Sequence, residues 1–320
     1  MDPIRKLGVA IIGAGFWGRN HARNLKELSE THLIAVCDKD EAKAKAVADL
    51  FGVDPYTDSN KMLKRRDIEA VTVCTWSTTL AEEAMRALKA GKHVLVEKPM
   101  ANNVREARKI VELAKTKHRY LMVGFLMRFI PGLQRIKQAV EKGEIGSVVY
   151  ATARRVSQWP ERIGDVGVVK DLSIHDIDIT RYLLNDDPVE VYAKVGNFRH
   201  KKFEDHAQIL TTFKGGRTAF IEANWLTPYK IRKLTVTGSE AIMTLDYITQ
   251  EITLETAGQT LAPRYEVREP LRLELQHFVN SIIDDKEPLT TGMDGLRALQ
   301  IAEAALRSAR IGRAVKLKPV

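Results

Sequence analysis

Residues 7–18 read Leu-Gly-Val-Ala-Ile-Ile-Gly13-Ala14-Gly15-Phe16-Trp17-Gly18, and this stretch decides the fold. Leu7 to Ile12 is an uncharged, apolar run of strand length, as expected of a strand buried on both faces. It ends in Gly-x-Gly-x-x-Gly, and Phe16 to Leu28 follows as a helix, with Trp17, Leu25 and Leu28 as its apolar contacts. Alone, the glycine pattern says little. Between a strand and a helix it has a physical reading. Gly13 makes the tight turn and Gly15 lets the backbone approach a pyrophosphate. Gly18 permits close helix–strand packing, and the helix amino terminus faces the anion. Asp38 closes the next apolar run, His32–Cys37, twenty residues after Gly18. An acidic side chain there hydrogen-bonds an adenosine ribose and repels a 2′-phosphate, so NAD is expected. Lys39 adjoins it and leaves NADP open. Phe16 and Trp17 are taken with the glycines and Asp38 as cofactor-binding residues.

Outward from this turn, strands and helices alternate. A helix over Glu41–Phe51 stops at Gly52. Strands are expected at Ala70–Cys74, Val94–Val96 and Leu121–Val123, with helices at about 80–89 and 104–115. This rhythm predicts a parallel sheet with helices on both faces. It changes near Gly124. Helices are expected at Pro131–Lys142 and Asp171–Leu184, a strand at Val148–Val156 and a loop at Ser157–Val168 between them. From Val189 to Thr256 the pattern is mostly β, with turn signals at Gly215-Gly216 and Gly238-Ser239, so pairing there should be antiparallel. Two helices, about 271–284 and 294–309, close the chain. The fold class is therefore α/β: a dinucleotide-binding domain over 1–124 and an α+β domain over 125–320, whose last helix is free to return to the first.

The triplet Glu97-Lys98-Pro99 ends the strand at 93–96. Proline holds the residue before it in an extended conformation, so Lys98 is delivered at the carboxyl end of a parallel strand, where open α/β sheets bind ligands. Thr75 and Trp76 sit at the end of the neighbouring strand. A surface lysine paired with Glu97 is the other reading of Lys98. Farther on, Asp171-Leu-Ser-Ile-His175-Asp176-Ile-Asp178 places an aspartate and a histidine four apart, on one face of a helix. Such a pair can orient an imidazole for general base work; an aspartate favouring a helix start and a satisfied histidine is the alternative. Two ligands do not make a metal centre, and no Gly-x-Ser-x-Gly elbow is present.

Bulk properties exclude several classes. The chain has 320 residues, 44% hydrophobic and 28% charged. No apolar run approaches the ~20 residues of a membrane span, and the amino terminus lacks the pattern of a signal peptide, so a cytoplasmic protein is expected. Cys37 and Cys74 close apolar runs and have no CxxC companion. The net charge of +9 comes from scattered basic residues without a nucleic-acid-binding signature, and suits anionic cofactors or substrates.

Taken together, Gly13-x-Gly15-x-x-Gly18, Glu97-Lys98-Pro99, Gly124-Phe125-x-x-Arg128-Phe129-x-Pro131 and Asp171-x-x-x-His175-x-x-Asp178 resemble the glucose–fructose oxidoreductase and inositol dehydrogenase family, Gfo/Idh/MocA, over essentially the whole chain. The resemblance implies a Rossmann domain followed by an α+β domain with a large, open, mostly antiparallel sheet, through which relatives form homodimers or homotetramers. It implies that Lys98 binds the reacting hydroxyl and that His175, coupled to Asp171, is a second acid/base. Glu97, Thr75 and Trp76 are taken with the cofactor site. One departure stands out. Relatives often carry a Thr-Pro-Asn-like turn and then a histidine where this chain has Thr75-Trp76-Ser77-Thr78-Thr79.

The stretch 162–178 is similar to the UDP-N-acetylglucosamine 3-dehydrogenase branch. Arg128, Arg154, Arg155 and Arg162 are candidates to meet a diphosphate, with Trp159 beside them; pairing with acids is the alternative reading of these arginines. An inositol-like polyol is the other substrate class, and a non-catalytic nucleotide-sensing regulator the other functional class.

Overall fold

The computed structural model describes residues 6–160 and 165–318. The chain divides into two compact units, Met1–Leu126 with Glu269–Leu296, and Met127–Arg268 with Arg297–Val320. In the first unit, β1 (Leu7–Ile12), β2 (Thr31–Cys37), β3 (Asp54–Tyr56), β4 (Ala70–Val73), β5 (His93–Glu97) and β6 (Leu121–Gly124) form a parallel sheet in the order β3-β2-β1-β4-β5-β6. Every residue of β1 and β4 is buried, which is why their sequences run apolar instead of alternating. The crossovers are α1 (Phe16–Glu27), α2 (Glu41–Phe51), α3 (Ser59–Leu63), α4 (Ser77–Lys89) and α5 (Val104–Lys117). Asp40 caps α2 by accepting from Lys43 N, and Asn103 caps α5 by accepting from Glu106 N. Strand order reverses between β1 and β4. The carboxyl ends of those two strands, Gly13 and Cys74–Trp76, are therefore the switch point at which such sheets bind ligands.

The second unit opens with α6 (Pro131–Glu141), β7 (Val148–Val156) and α7 (Ile174–Leu184), the last preceded by a π-helical turn at Val169–Ser173. Then come β8 (Glu190–Gly196), β9 (His206–Thr212), β10 (Thr218–Asn224), β11 (Ile231–Gly238), β12 (Ile242–Asp246), β13 (Glu251–Glu255) and β14 (Thr260–Leu261). With β15 (Val315–Lys316) they make a sheet ordered β14-β13-β12-β11-β7-β10-β9-β8-β15, antiparallel except where β10 runs parallel to β7. Along β7 the side chains of Ala151, Ala153 and Arg155 are buried, while Tyr150 and Arg154 are exposed. One face is thus covered. The other leaves Tyr150, Tyr192, Leu210 and Phe220 exposed.

The helix α8 (Pro270–Ile283) belongs to the first unit, whereas the sequence reading placed 125–320 in the second and left only the last helix free to return. Its buried side chains Leu271, Leu275, Phe278 and Val279 need a partner surface, and α8 packs on α1. Polar contacts fix the pairing. Glu269 accepts from Arg23 and Asn24, and Arg272 donates to Glu27 at 2.8 Å. The chain closes with α9 (Gly292–Ile311) and β15.

Candidate active site

The glycine turn has the geometry its spacing predicts. Gly13 has φ +103, and a Cβ there would meet the Cys74 carbonyl oxygen at 2.6 Å. A Cβ on Gly18 would lie 1.7 Å from the Gly13 carbonyl oxygen, whereas one on Gly15 would meet nothing within 4 Å. Two of the glycines are thus required by the chain's own packing. Gly15 is not, and its bare backbone is left open to close approach by a ligand. The amino terminus of α1 has no side-chain cap, so its first N–H groups are available to an anion. Asp38 accepts from Ala14 N at 2.7 Å and from Asp40 N at 2.9 Å, which fixes its carboxylate beside the turn. The Thr75 hydroxyl, at the end of β4, is buried and has no partner. Phe16, Trp17 and Trp76 are exposed. These residues suit a dinucleotide, and the orphaned hydroxyl marks where it would contribute a hydrogen bond.

Lys98 follows β5 directly and is half-buried. Glu97, assigned by sequence to the cofactor, instead directs its carboxylate into the unit. It lies 3.2 Å from His21 Nε2 and against Gly124, where a Cβ would sit 3.1 Å from it. The strand's alternation explains this, since consecutive side chains leave on opposite faces. Near Glu97 lies a group that sequence reading missed. Glu274, on α8, is wholly buried and its carboxyl oxygens have no hydrogen-bond partner. Burial first, and then the charge of Glu97, push its carboxyl well above its ordinary value of 4.5. The folded chain therefore holds a proton that the unfolded chain releases, so this group costs stability as pH rises above the ordinary carboxyl range. Glu274→Gln should unfold like the wild type near pH 4. It should be increasingly the more stable of the two toward pH 8, with a relative slope of up to ~1.4 kcal/mol per pH unit. Parallel denaturation curves for the two proteins across that range would refute the protonated state.

In the second unit, Asp171 sits on the π-helical turn and His175 in the first turn of α7. The single regular helix expected over 171–184 is therefore broken. A π turn carries i→i+5 bonds, so four-residue spacing does not by itself put the two side chains on one face. His175 is buried and Asp171 half-buried. The π turn is anchored by Glu204, which accepts from Val168 N at its carbonyl and from Val169 N at its carboxylate.

Arg128 and Arg155 do not reach outward. Arg128 donates to Asp178 through two bonds of 2.8 and 2.5 Å. Arg155 does the same to Asp176, at 2.8 Å each. Both guanidiniums are at least 95% buried, and each fork is matched by a carboxylate. The paired reading of Arg128 and Arg155 therefore replaces the diphosphate one. Arg154 meets Glu222 at 3.0 Å. Arg162 lies outside the described residues.

Trp159 lines an open pocket of about 880 Å³ with Phe198, Arg199, Trp225 and Pro228 at the β7 and β10 carboxyl ends. Trp159 and Trp225 meet edge to face, 6.3 Å between centroids, and the Arg199 guanidinium lies 4.5 Å over Trp159. Asp205 organises the Phe198–His200 loop. Its buried carboxylate accepts from the backbone N–H groups of Phe198, Arg199 and His200 at 2.6–2.9 Å. Burial raises its pKa, but those donors outweigh it and the carboxyl stays below its usual range. No residue pattern announced this loop, because the carboxylate and its donors meet only once the chain has turned.

Two thiols add no chemistry: burial pushes Cys37 up to about 12 and Cys74 well above its usual value. Among the described residues, no three His, Cys, Asp or Glu side chains form a metal-ligand group, and no helix is long and apolar enough to cross a membrane.

Comparison with known proteins fits this geometry. Residues 7–125 match the model of the oxidoreductase family with an NAD-binding Rossmann fold, and residues 133–244 match the GFO/IDH/MocA C-terminal domain. The chain is 31% identical to the inositol 2-dehydrogenase of Rhizobium meliloti, over 96% of this chain and 98% of that one. It is 28% identical to the UDP-N-acetylglucosamine 3-dehydrogenase of Acidithiobacillus ferrooxidans, over 91% and 94%. The crystal structure of an aldose-aldose oxidoreductase from Caulobacter crescentus superposes with a TM-score of 0.91 at 26% identity, covering 98% of this chain and 100% of that one.

Proposed function

The chain belongs to the GFO/IDH/MocA oxidoreductase family, and from that premise we propose that it oxidises a ring hydroxyl of a nucleotide sugar, with Lys98 and His175 as acid–base groups. It is an NAD-dependent oxidoreductase of the sugar and polyol dehydrogenase kind. NAD, when bound, supplies the acceptor for the hydride. What the chain itself must do is hold the hydroxyl and remove its proton. Lys98 would bind the hydroxyl oxygen, where an ammonium stabilises developing alkoxide charge. His175 would take the proton, since an imidazole with an unperturbed pKa near ~6.5 is suited to do so at neutral pH. Asp171 would be coupled to that imidazole.

The observation that carries the substrate class is the pocket at Trp159 and Trp225. Its walls are aromatic with one guanidinium and its volume is about 880 Å³. Asp205 holds its Phe198–His200 loop, and the adjacent Glu204 holds the turn bearing Asp171. Aromatic faces bind planar rings and the apolar faces of sugars, and a nucleotide sugar offers both. NADH formation with UDP-N-acetylglucosamine or its uronic acid, against myo-inositol and glucose, tests the reading. Turnover confined to the free polyols would overturn it. That outcome is the second reading, favoured by the full-length similarity to inositol 2-dehydrogenases.

The proposal extends to assembly. Tyr150, Tyr192, Leu210 and Phe220 leave an apolar patch on the uncovered face of the second unit's sheet, and such patches mark contact surfaces. Two or four copies would associate there. Light scattering should report a dimer or tetramer that Phe220→Lys weakens, and a wild-type monomer at micromolar concentration would remove the idea.

A further inference from the structure

Among the described residues of the second unit, Arg232 stands as a cation unmatched by the buried aspartates. Arg232 lies on β11 directly opposite Arg155 on β7, as antiparallel Cα partners. Cross-strand partners stand ~4.5–5.5 Å apart at Cβ on the same face, and like charges there repel. Arg155 is neutralised by Asp176. Arg232 has no such relief: among the described residues it makes no side-chain hydrogen bond or ion pair, and its Nε is buried without a partner. Its backbone is held, since its carbonyl accepts from Tyr247 N at 2.9 Å. The Tyr247 hydroxyl is a second orphan, buried and unpartnered, and the Tyr247 ring lies under Arg155 with 5.4 Å between guanidinium carbon and ring centroid. A third cation, Lys230, is exposed two residues before Arg232. It follows Pro228, which lines the aromatic pocket.

The electrostatics of the three cations agree with crowding. Burial, and then the charge of Arg155, bring Arg232 down to about 10, with Asp176 and Asp171 pulling the other way. Lys230 is lowered by Arg232 first, then by burial and Arg155. A half-buried guanidinium with an orphaned donor is costly to the fold. An oxyanion would relieve both the repulsion and the missing hydrogen bond.

We propose that Arg232, assisted by Lys230 and the Tyr247 hydroxyl, is the recognition site for an oxyanion carried by the substrate, a phosphate or a carboxylate. This rests on the reading of the second unit as the sugar-binding one, and names the substrates as charged: sugar nucleotides, sugar phosphates or uronic acids. Asp171 is within electrostatic reach of Arg232, so the anion would be held in the same unit as the turn that bears Asp171. The neutral inositols lack the group this site recognises.

The test measures binding directly. Intrinsic tryptophan fluorescence or calorimetry is followed while inorganic pyrophosphate, UDP or glucuronate is added to the full-length protein. The wild type should bind at least one of them, more weakly as salt rises. Arg232→Met should weaken that binding about 10–100-fold, Arg232→Lys should retain part of it, and Lys230→Ala should weaken it less. Because Arg232→Met removes a like charge facing Arg155, it should melt no lower than the wild type, which separates loss of binding from loss of fold. A preference for pyrophosphate and UDP identifies a phosphate ligand, and a preference for glucuronate a carboxylate. No binding of any anion by the wild type, or an unchanged Kd in Arg232→Met, overturns the proposal. NADH formation on the sugar panel reads out separately. Turnover of neutral polyols without anion binding sinks this site and spares the oxidoreductase reading. Anion binding without turnover of any sugar does the reverse.

Discussion

Lys98→Ala should lower turnover by roughly 10²–10⁴-fold, the range that a positioned acid–base group contributes, with NADH affinity nearly unchanged. The second half of that expectation comes from the geometry of the glycine turn. Gly13, Gly15, Gly18, the uncapped start of α1 and the Asp38 carboxylate make up the turn proposed to take the dinucleotide, and Lys98 is on a different strand end. The first half rests on position and charge. Lys98 is half-buried immediately after β5, on a backbone fixed by the buried strand before it and by the proline that follows. An ammonium there offers both a positive charge for an alkoxide and a proton to exchange, and alanine offers neither. Arginine would keep the charge but not the titration, so Lys98→Arg should recover little. Steady-state rates with the preferred sugar and a separate NADH titration give the two numbers. Undiminished turnover in Lys98→Ala would discard the assignment, and a matching loss of NADH affinity would make Lys98 a cofactor ligand.

Asp176→Ala should cost the protein about 3–5 kcal/mol of stability, the usual price of stranding one member of a buried ion pair. Asp176 and Arg155 are each about 99% buried and share two 2.8 Å bonds. Without the carboxylate, the Arg155 guanidinium would remain in the interior opposite Arg232, with no carboxylate bonded to it. Removing both members should be far milder, because the interior then loses the charge along with its partner. Arg155→Met with Asp176→Leu should therefore recover most of the loss. Urea denaturation of the wild type, the single variant and the double variant measures this. A single-variant loss below ~1 kcal/mol would show that the pair is not desolvated as described.

The predicted fold and the observed one agree where the pattern is local. Helix α2 and strands β1 and β7 have the bounds that apolar periodicity and caps suggest. Short elements without an apolar stripe escaped notice. Strand β3 is three residues with none fully buried, and α3 is five residues long, too short for either period to register. The π turn at 169–173 escaped for another reason. Its residues have ordinary helical composition, and one extra residue in a turn leaves no mark in the sequence.

For the site, the division falls between turns and pairings. The turn geometry of Gly13, Gly15 and Gly18 was legible because a tight turn, a close approach and a packed helix each demand a missing Cβ at a fixed spacing. Lys98 was legible as a charge at a strand end for the same local reason. The fate of the arginines was not. Arg128 pairs across 50 residues and Arg155 across 21, and both aspartates, Asp176 and Asp178, lie in the motif that had pointed to acid–base chemistry. Only the packing of α7 on the sheet decides which carboxylate faces which guanidinium. Only the register of β11 against β7 sets Arg232 opposite Arg155, where no carboxylate among the described residues pairs with it. Only the packing of α8 on α1 buries Glu274 near Glu97. By itself the sequence determined the dinucleotide turn, the order of strands and helices and the placing of Lys98, since short-range sterics and periodic burial act along the chain. The tertiary structure decided which charges are neutralised and which remain for a ligand, because electrostatic pairing depends on distances between side chains that are far apart in sequence.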